Sequence, residues 1–207
     1  MKKIVFLWVL LASVIAMGQN DEAYVDELTQ EFMEKLEERG LTQYFTAKRY
    51  CSGKIEMFQI GREKKLCASK GTYYQVYVVW KEEDRVRIKK IDNCSLYYSV
   101  TLEDSVLFDF FVTNSETLRS ETVKNYKSAS YTGIPELRKK PQPCYRNFTF
   151  TENGETSEQT YNLFDVSPEG EADNVNYEYN SQLKVIELDA LMNAVLADYE
   201  VNMRRQI

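Results

Sequence analysis

Histidine is absent from all 207 residues of the chain. That excludes Ser-His-Asp and Cys-His catalysis, imidazole acting as a general base, and His-ligated metal sites. The glycine patterns of P-loops and of dinucleotide-binding turns are also missing, so no nucleotide cofactor is implied. No two cysteines stand at C-x-x-C spacing, which argues against thioredoxin-like redox chemistry and zinc ribbons. Internal repeats and low-complexity tracts are lacking. Long apolar runs are lacking as well: the longest, over 4–17, falls short of the ~20 residues a membrane helix needs.

That run has the layout of an export signal. Lys2 and Lys3 precede it, and Ala16 and Gly18 occupy the small-residue positions before Gln19. Asp21 and Glu22 follow in place of a basic stop-transfer flank. The first cysteine is Cys51, so a lipoprotein anchor at the cleavage site is excluded. The expectation is a cleaved signal over 1–18 and a single exported α+β domain over 19–207, secreted or periplasmic, with no membrane span after cleavage. The formal charge of −6 becomes more negative when Lys2 and Lys3 are lost. An acidic balance favours solubility and argues against nucleic acid and anionic lipid as partners.

Four cysteines, Cys51, Cys67, Cys94 and Cys144, are an even set in an exported chain and imply two disulfides. Of the three possible pairings, proximity along the chain favours Cys51–Cys67 with Cys94–Cys144.

Val25, Leu28, Phe32 and Leu36 fall on one helical stripe and predict a first helix over 21–39, closed by Gly40. Strands are expected over 44–50 and 54–60, the two paired through Cys51-Ser52-Gly53. The segment 72–80 is the strongest strand, apolar on both faces and therefore central. The segment 85–91 alternates, with Val86 and Ile88 on one face and Arg85, Arg87 and Lys89 on a solvated one. A short strand over 96–101, a helix over 103–119 and a loop over 125–144 follow. A hairpin over 145–163 turns at Asn153-Gly154. The acidic stretch 167–180 reads as loop, and a last helix covers 183–203. The fold class is α+β, an antiparallel sheet with helices at both ends of the chain packed on at least one face.

Four features bear on chemistry. Ser181-Gln-Leu-Lys184 matches the S-x-x-K spacing of penicillin-binding enzymes, but its partner motifs are absent and Ser181 suits a helix N-cap. Asp165, Glu169, Glu171, Asp173 and Glu178 with Asn174 and Asn176 form an oxygen-rich stretch without the EF-hand spacing for calcium. Asn93-Cys-Ser95 and Asn147-Phe-Thr149 are glycosylation acceptors only in a host that secretes through an endoplasmic reticulum. Aromatics are abundant: 15 Tyr, 10 Phe and 2 Trp. Rings with polar tips suit both half-buried sheets and recognition surfaces.

Subtraction therefore leans away from catalysis. The leading reading is a non-catalytic binding or interaction domain. Its partner is an unidentified protein, small molecule or glycan in the envelope or outside the cell. Tyr73, Gln75 and Tyr77 are its candidate ligand-binding face. A small glycosidase-like hydrolase built on two carboxylates is the first alternative. A structural or inhibitory partner of another exported protein is the second. No cofactor and no metal ligand is singled out.

Overall fold

The computed structural model describes residues 21–129, 143–168 and 173–206. The expected signal, the centre of the long loop, and Glu169 and Glu171 lie outside them. The chain runs as helix α1 (Asp21–Glu38), strands β1 (Gln43–Cys51), β2 (Met57–Ile60), β3 (Lys65–Ala68), β4 (Tyr74–Glu82), β5 (Arg85–Asp92), β6 (Ser95–Leu96) and β7 (Val100–Thr101), helices α2 (Val106–Thr113) and α3 (Ser115–Ser120), strands β8 (Cys144–Glu152) and β9 (Glu155–Asn162), and helices α4 (Tyr177–Ser181) and α5 (Lys184–Tyr199). A 3-10 turn, Glu200–Asn202, follows.

The main sheet is antiparallel, in the order β6-β5-β4-β1-β8-β9, with β7 pairing β5. Helices pack on both of its faces. On one face α1 covers Tyr44, Val76, Val78, Trp80 and Ile91 with Val25, Leu28, Phe32 and Leu36. On the other, α2, α3 and α5 cover Phe45, Ala47, Tyr77, Val79, Ile88, Phe148 and Phe150. Two covered faces explain why 72–80 is apolar on both sides: β4 lies at the sheet's centre and meets a helical layer on each.

The local rules that place the elements are visible at their ends. Gly40 has φ +77°. It closes α1 with bonds from its N–H to Glu37 O and from Leu41 N–H to Leu36 O, the 5→2 and 6→1 pair of a Schellman end. Asn153 and Gly154 both have positive φ, 54° and 84°, as the two-residue turn between β8 and β9 requires. The β4–β5 turn has the same geometry at Glu83 and Asp84, which carry no glycine to signal it.

Several expectations need correction. The disulfides are Cys51–Cys144 and Cys67–Cys94, not the sequence neighbours. Cys51 and Cys144 stand directly opposite each other where β1 pairs with β8. Proximity in the sheet overrides proximity in the chain. Strand β1 does not pair with the segment after Gly53; it pairs with β4 and β8, while β2 and β3 form a separate two-stranded ribbon. The expected helix over 103–119 starts later and breaks at Asn114, whose amide donates to Phe110 O and competes with the helical ladder. Ser181 does not cap the last helix. Its hydroxyl donates to Glu178 O, and the first amides of α5, Lys184 and Val185, donate instead to the Glu121 carboxylate. Lys89 is not on a solvated face but buried under α1.

Two disulfides fit an oxidising, extracytoplasmic environment. Among the described residues no helix is long and apolar enough to cross a membrane.

Candidate functional site

Gln75 and Tyr77 share a face of β4, and Tyr73, just before the strand, joins them in the layer beneath the C-terminal segment, but that layer is closed. Tyr77 is 1 % exposed and Tyr73 is 7 % exposed. Their hydroxyls are absorbed into a polar layer under the C-terminal segment. Tyr73 Oη donates to Asp92 at 2.7 Å, and Tyr77 Oη donates to Glu200 at 3.0 Å. Gln75, half-buried, reaches Glu200 at 3.4 Å. Burial first, and then the neighbouring carboxylate charge, pushes both tyrosines well above their ordinary range. These side chains work as interior anchors.

The same layer accounts for the carboxylates of Asp92 and Asp189, which are buried, and of Glu200, which is partly exposed. Asp92 takes Arg205 bidentately, at 2.6 and 2.7 Å. Asp189 takes Arg49 at 2.5 Å and Arg146 at 3.3 Å. Glu200 takes Lys90, and although burial works to raise it, the hydrogen bond and charge of Lys90 hold its carboxyl below the usual range. Each of these carboxylates has a cation in contact.

The acidic stretch is likewise structural where it is described. Asp165 accepts from the amides of Tyr126 and Asn162. The amides of Asn174 and Asn180 both donate to Asp165 O. Among the described residues no three Asp, Glu or Cys side chains gather as a metal would require. Asn93 of the first triplet is buried, its amide bonded to Tyr74 N–H and Thr72 O. Asn147 of the second lies on an open part of the sheet.

The unsatisfied surface is elsewhere, on the β2–β3 ribbon. Its base is closed by Tyr73 N–H to Lys54 O and Ser69 N–H to Glu56 O. Three amides of its return leg, at Lys70, Gly71 and Thr72, converge on the Asp21 carboxylate at the start of α1. Alternation then sorts its side chains. Phe58 turns inward, 5.3 Å from the Tyr73 ring and 4.5 Å from the Arg205 guanidinium. Cys67 turns inward to Cys94. Ile55, Met57 and Leu66 turn out and are 55 %, 67 % and 64 % exposed. Met57 opposes Ala68 and Leu66 opposes Gln59, so Met57 and Leu66 are diagonal neighbours on one face. The other exposed large apolar side chains are spread over other segments, one or two at a time.

Around this face the charge inverts. Lys54, Arg62, Lys64, Lys65 and Lys70 outnumber Glu56 and Glu63, a local +3 in a chain of −6. Beside the ribbon lies a cleft of 560 Å³ that reaches the start of α1, walled by Tyr24, Leu66 and the Cys67–Cys94 bridge. Sequence reasoning missed this element because 54–60 read as an ordinary strand of the main sheet. The cluster of basic residues in an acidic chain was the available signal.

Comparison with known protein families, curated proteins and solved structures gives no match for this chain, so its function rests on its own geometry.

Proposed function

We propose that the chain is an exported, non-catalytic interaction domain, and that it docks a protein partner through the outward face of the β2–β3 ribbon. One observation carries this reading: Ile55, Met57 and Leu66 are largely exposed together on an element stapled to the body by Cys67–Cys94. Contiguous apolar side chains on a soluble protein mark interaction sites. A two-stranded ribbon alone is only marginally stable in water. The staple, the Asp21 clamp and the Phe58–Tyr73 contact hold this one in a fixed shape, so docking costs little ordering. Methionine suits a contact that must adapt to its partner.

The basic rim selects the partner's chemistry. A protein surface with apolar side chains inside an acidic border meets complementary charge at Arg62, Lys64 and Lys65. An anionic membrane is disfavoured, because the rest of the chain carries the excess of acid. Export is the second half of the proposal, supported by the signal-like N-terminus and by the two disulfides.

Site-specific photo-crosslinking in the host envelope tests both halves. A photoreactive residue at position 57 or 66 is expected to give one discrete protein adduct, and the same residue at Thr156 none. The adduct should disappear when Ile55→Ser and the unlabelled one of Met57→Ser and Leu66→Ser are combined, with the melting temperature unchanged. No adduct, or the same smear from every position, overturns the docking reading. Recovery of all the protein from the cytoplasm overturns export.

A further inference from the structure

The structure carries a second candidate site, independent of the ribbon, on the α1 side of the main sheet. Helix α1 lies over β4 and β5 and leaves the same face of β8 and β9 bare. Strand register orders that face into rows. One row is Val78, Thr46, Thr149 and Glu158; the next is Val76, Lys48, Asn147 and Thr160; the third is Tyr74, Tyr50, Tyr145 and Asn162. Between the helix and the bare strands runs a groove of 240 Å³. Its floor comes from the first two rows. Its wall is Asp26, Thr29, Gln30 and Met33, spaced as one face of the helix.

The groove's polar groups are held in place before any ligand arrives. Lys48 Nζ is gripped by Glu22 at 2.6 Å and by Asp26 at 2.8 Å. The Asn147 amide donates to Thr160 at 2.9 Å and also to Glu158. Thr46 and Val76 are buried and fix the floor. The third row follows on the sheet beyond the lining residues, its half-buried rings packed on one another, Tyr50 lying 4.8 Å from Tyr74 and 5.1 Å from Tyr145.

We infer that this groove binds a neutral saccharide, one sugar ring at a time. Donors and acceptors alternate across it: an ammonium and amides that donate, carboxylates that accept, and threonine hydroxyls that do both. Sugar hydroxyls likewise donate and accept at adjacent carbons. Charge narrows the class. Asp26, Glu158 and Glu22 against Lys48 disfavour phosphorylated or acidic ligands. Lys48 already fills the place between Glu22 and Asp26 that a cationic ligand would take, so such a ligand would have to displace it. The volume lies below the range that holds drug-sized ligands, which limits the contact to a single ring of a longer chain.

The test uses the full-length mature protein and soluble maltohexaose, cellohexaose, xylohexaose, mannohexaose and chitin hexamer, with spermidine and glucuronate as charged controls. Calorimetry is expected to find one neutral hexamer that binds, and backbone NMR to place its shifts at 46–48 and 147–149. Asn147→Ala should weaken binding about tenfold or more, a loss of roughly 1.4 kcal/mol. Gln30→Ala, on the exposed side of a helix where folding is not at risk, should also weaken it, while Thr156→Ala should not. No binding of any neutral hexamer at millimolar concentration overturns the inference. So does preferential binding of spermidine or glucuronate, or saccharide binding that survives Asn147→Ala and Gln30→Ala.

Discussion

Replacing Arg205 by Met should cost this fold more than any surface change, because of what Arg205 leaves behind. Asp92 is fully buried and accepts from the hydroxyls of Tyr73 and Tyr97, the amides of Cys94 and Ser95, and both terminal nitrogens of Arg205. Burial works to lower the Arg205 pKa, yet hydrogen bonds and charge from Asp92 raise it above its ordinary value. Without the guanidinium, Asp92 keeps four neutral donors and no counter-charge. Breaking a buried ion pair from one side costs about 3–5 kcal/mol. Met keeps the length of the stem, and what goes is the guanidinium, with both its ion pair to Asp92 and its place 4.5 Å and 4.6 Å from the Phe58 and Tyr97 ring centres. The assay is urea unfolding with disulfides intact, followed by fluorescence of buried Trp80. Combining Arg205→Met with Asp92→Asn should recover most of the loss, since the stranded charge is gone. A loss under about 1 kcal/mol for Arg205→Met, or a double variant no more stable than the single one, would refute the reasoning.

Two further outcomes follow from buried groups. Lys89 is buried beneath Phe32, with its Nζ donating to Tyr97 O, and burial, then the Lys35 charge, pushes its pKa down from 10.5 to about 8. A depressed lysine is a cost carried in full below pH 8, fading as pH rises toward 10.5, because there the unfolded chain binds the extra proton. Lys89→Met should therefore stabilise at pH 7 by about 1–3 kcal/mol, after allowing for the orphaned carbonyl. That advantage should shrink between pH 8 and 9.5 in paired urea titrations; a constant advantage would contradict the shift. Tyr77→Ala should destabilise by about 3–5 kcal/mol, as truncation of a buried aromatic does; an unchanged melting temperature would restore the open-face reading of Tyr73, Gln75 and Tyr77.

Periodicity was enough for α1, β4 and the β8–β9 hairpin, because each carries its whole signal locally. The 25-28-32-36 stripe, the double-sided apolar run 74–80 and Asn153-Gly154 need no partner to be recognised. Whatever depended on lateral pairing was not legible. The Cys51–Cys144 partnership follows from β1 meeting β8 across a sequence separation of 93, and with it the pairing of the remaining two cysteines. The cap of α5 comes from Glu121, more than sixty positions upstream. Lys89 looked like one of a solvated row because alternation gives the face but not what covers it. The candidate sites divide in the same way. Tyr73 and Tyr77 were visible as a mixed aromatic face, and only the C-terminal segment with Glu200 and Arg205 closes it. Asn147 and Thr149 drew notice as a glycosylation triplet, while their neighbours across the groove, Asp26 and Gln30, belong to a distant helix.

The distribution of polar groups is in keeping with the proposed interaction role. A catalytic carboxylate must be free to exchange a proton with substrate, so it faces a cleft and lacks a tight cation. Here two buried acids and a partly exposed one are all tightly paired. Asp92, Asp189 and Glu200 each bind Arg or Lys, and each ties the C-terminal third of the chain to the sheet: Arg205 to β5, Asp189 to Arg49 on β1, Glu200 to Lys90 on β5. That interior is fixed by charge pairs whose partners come from both ends of the sequence. A rigid body follows, and the surfaces left over are a stapled apolar ribbon on one side and a pre-arranged polar groove on the other. Both need only to hold their shape, which is what the ion pairs and the two disulfides provide.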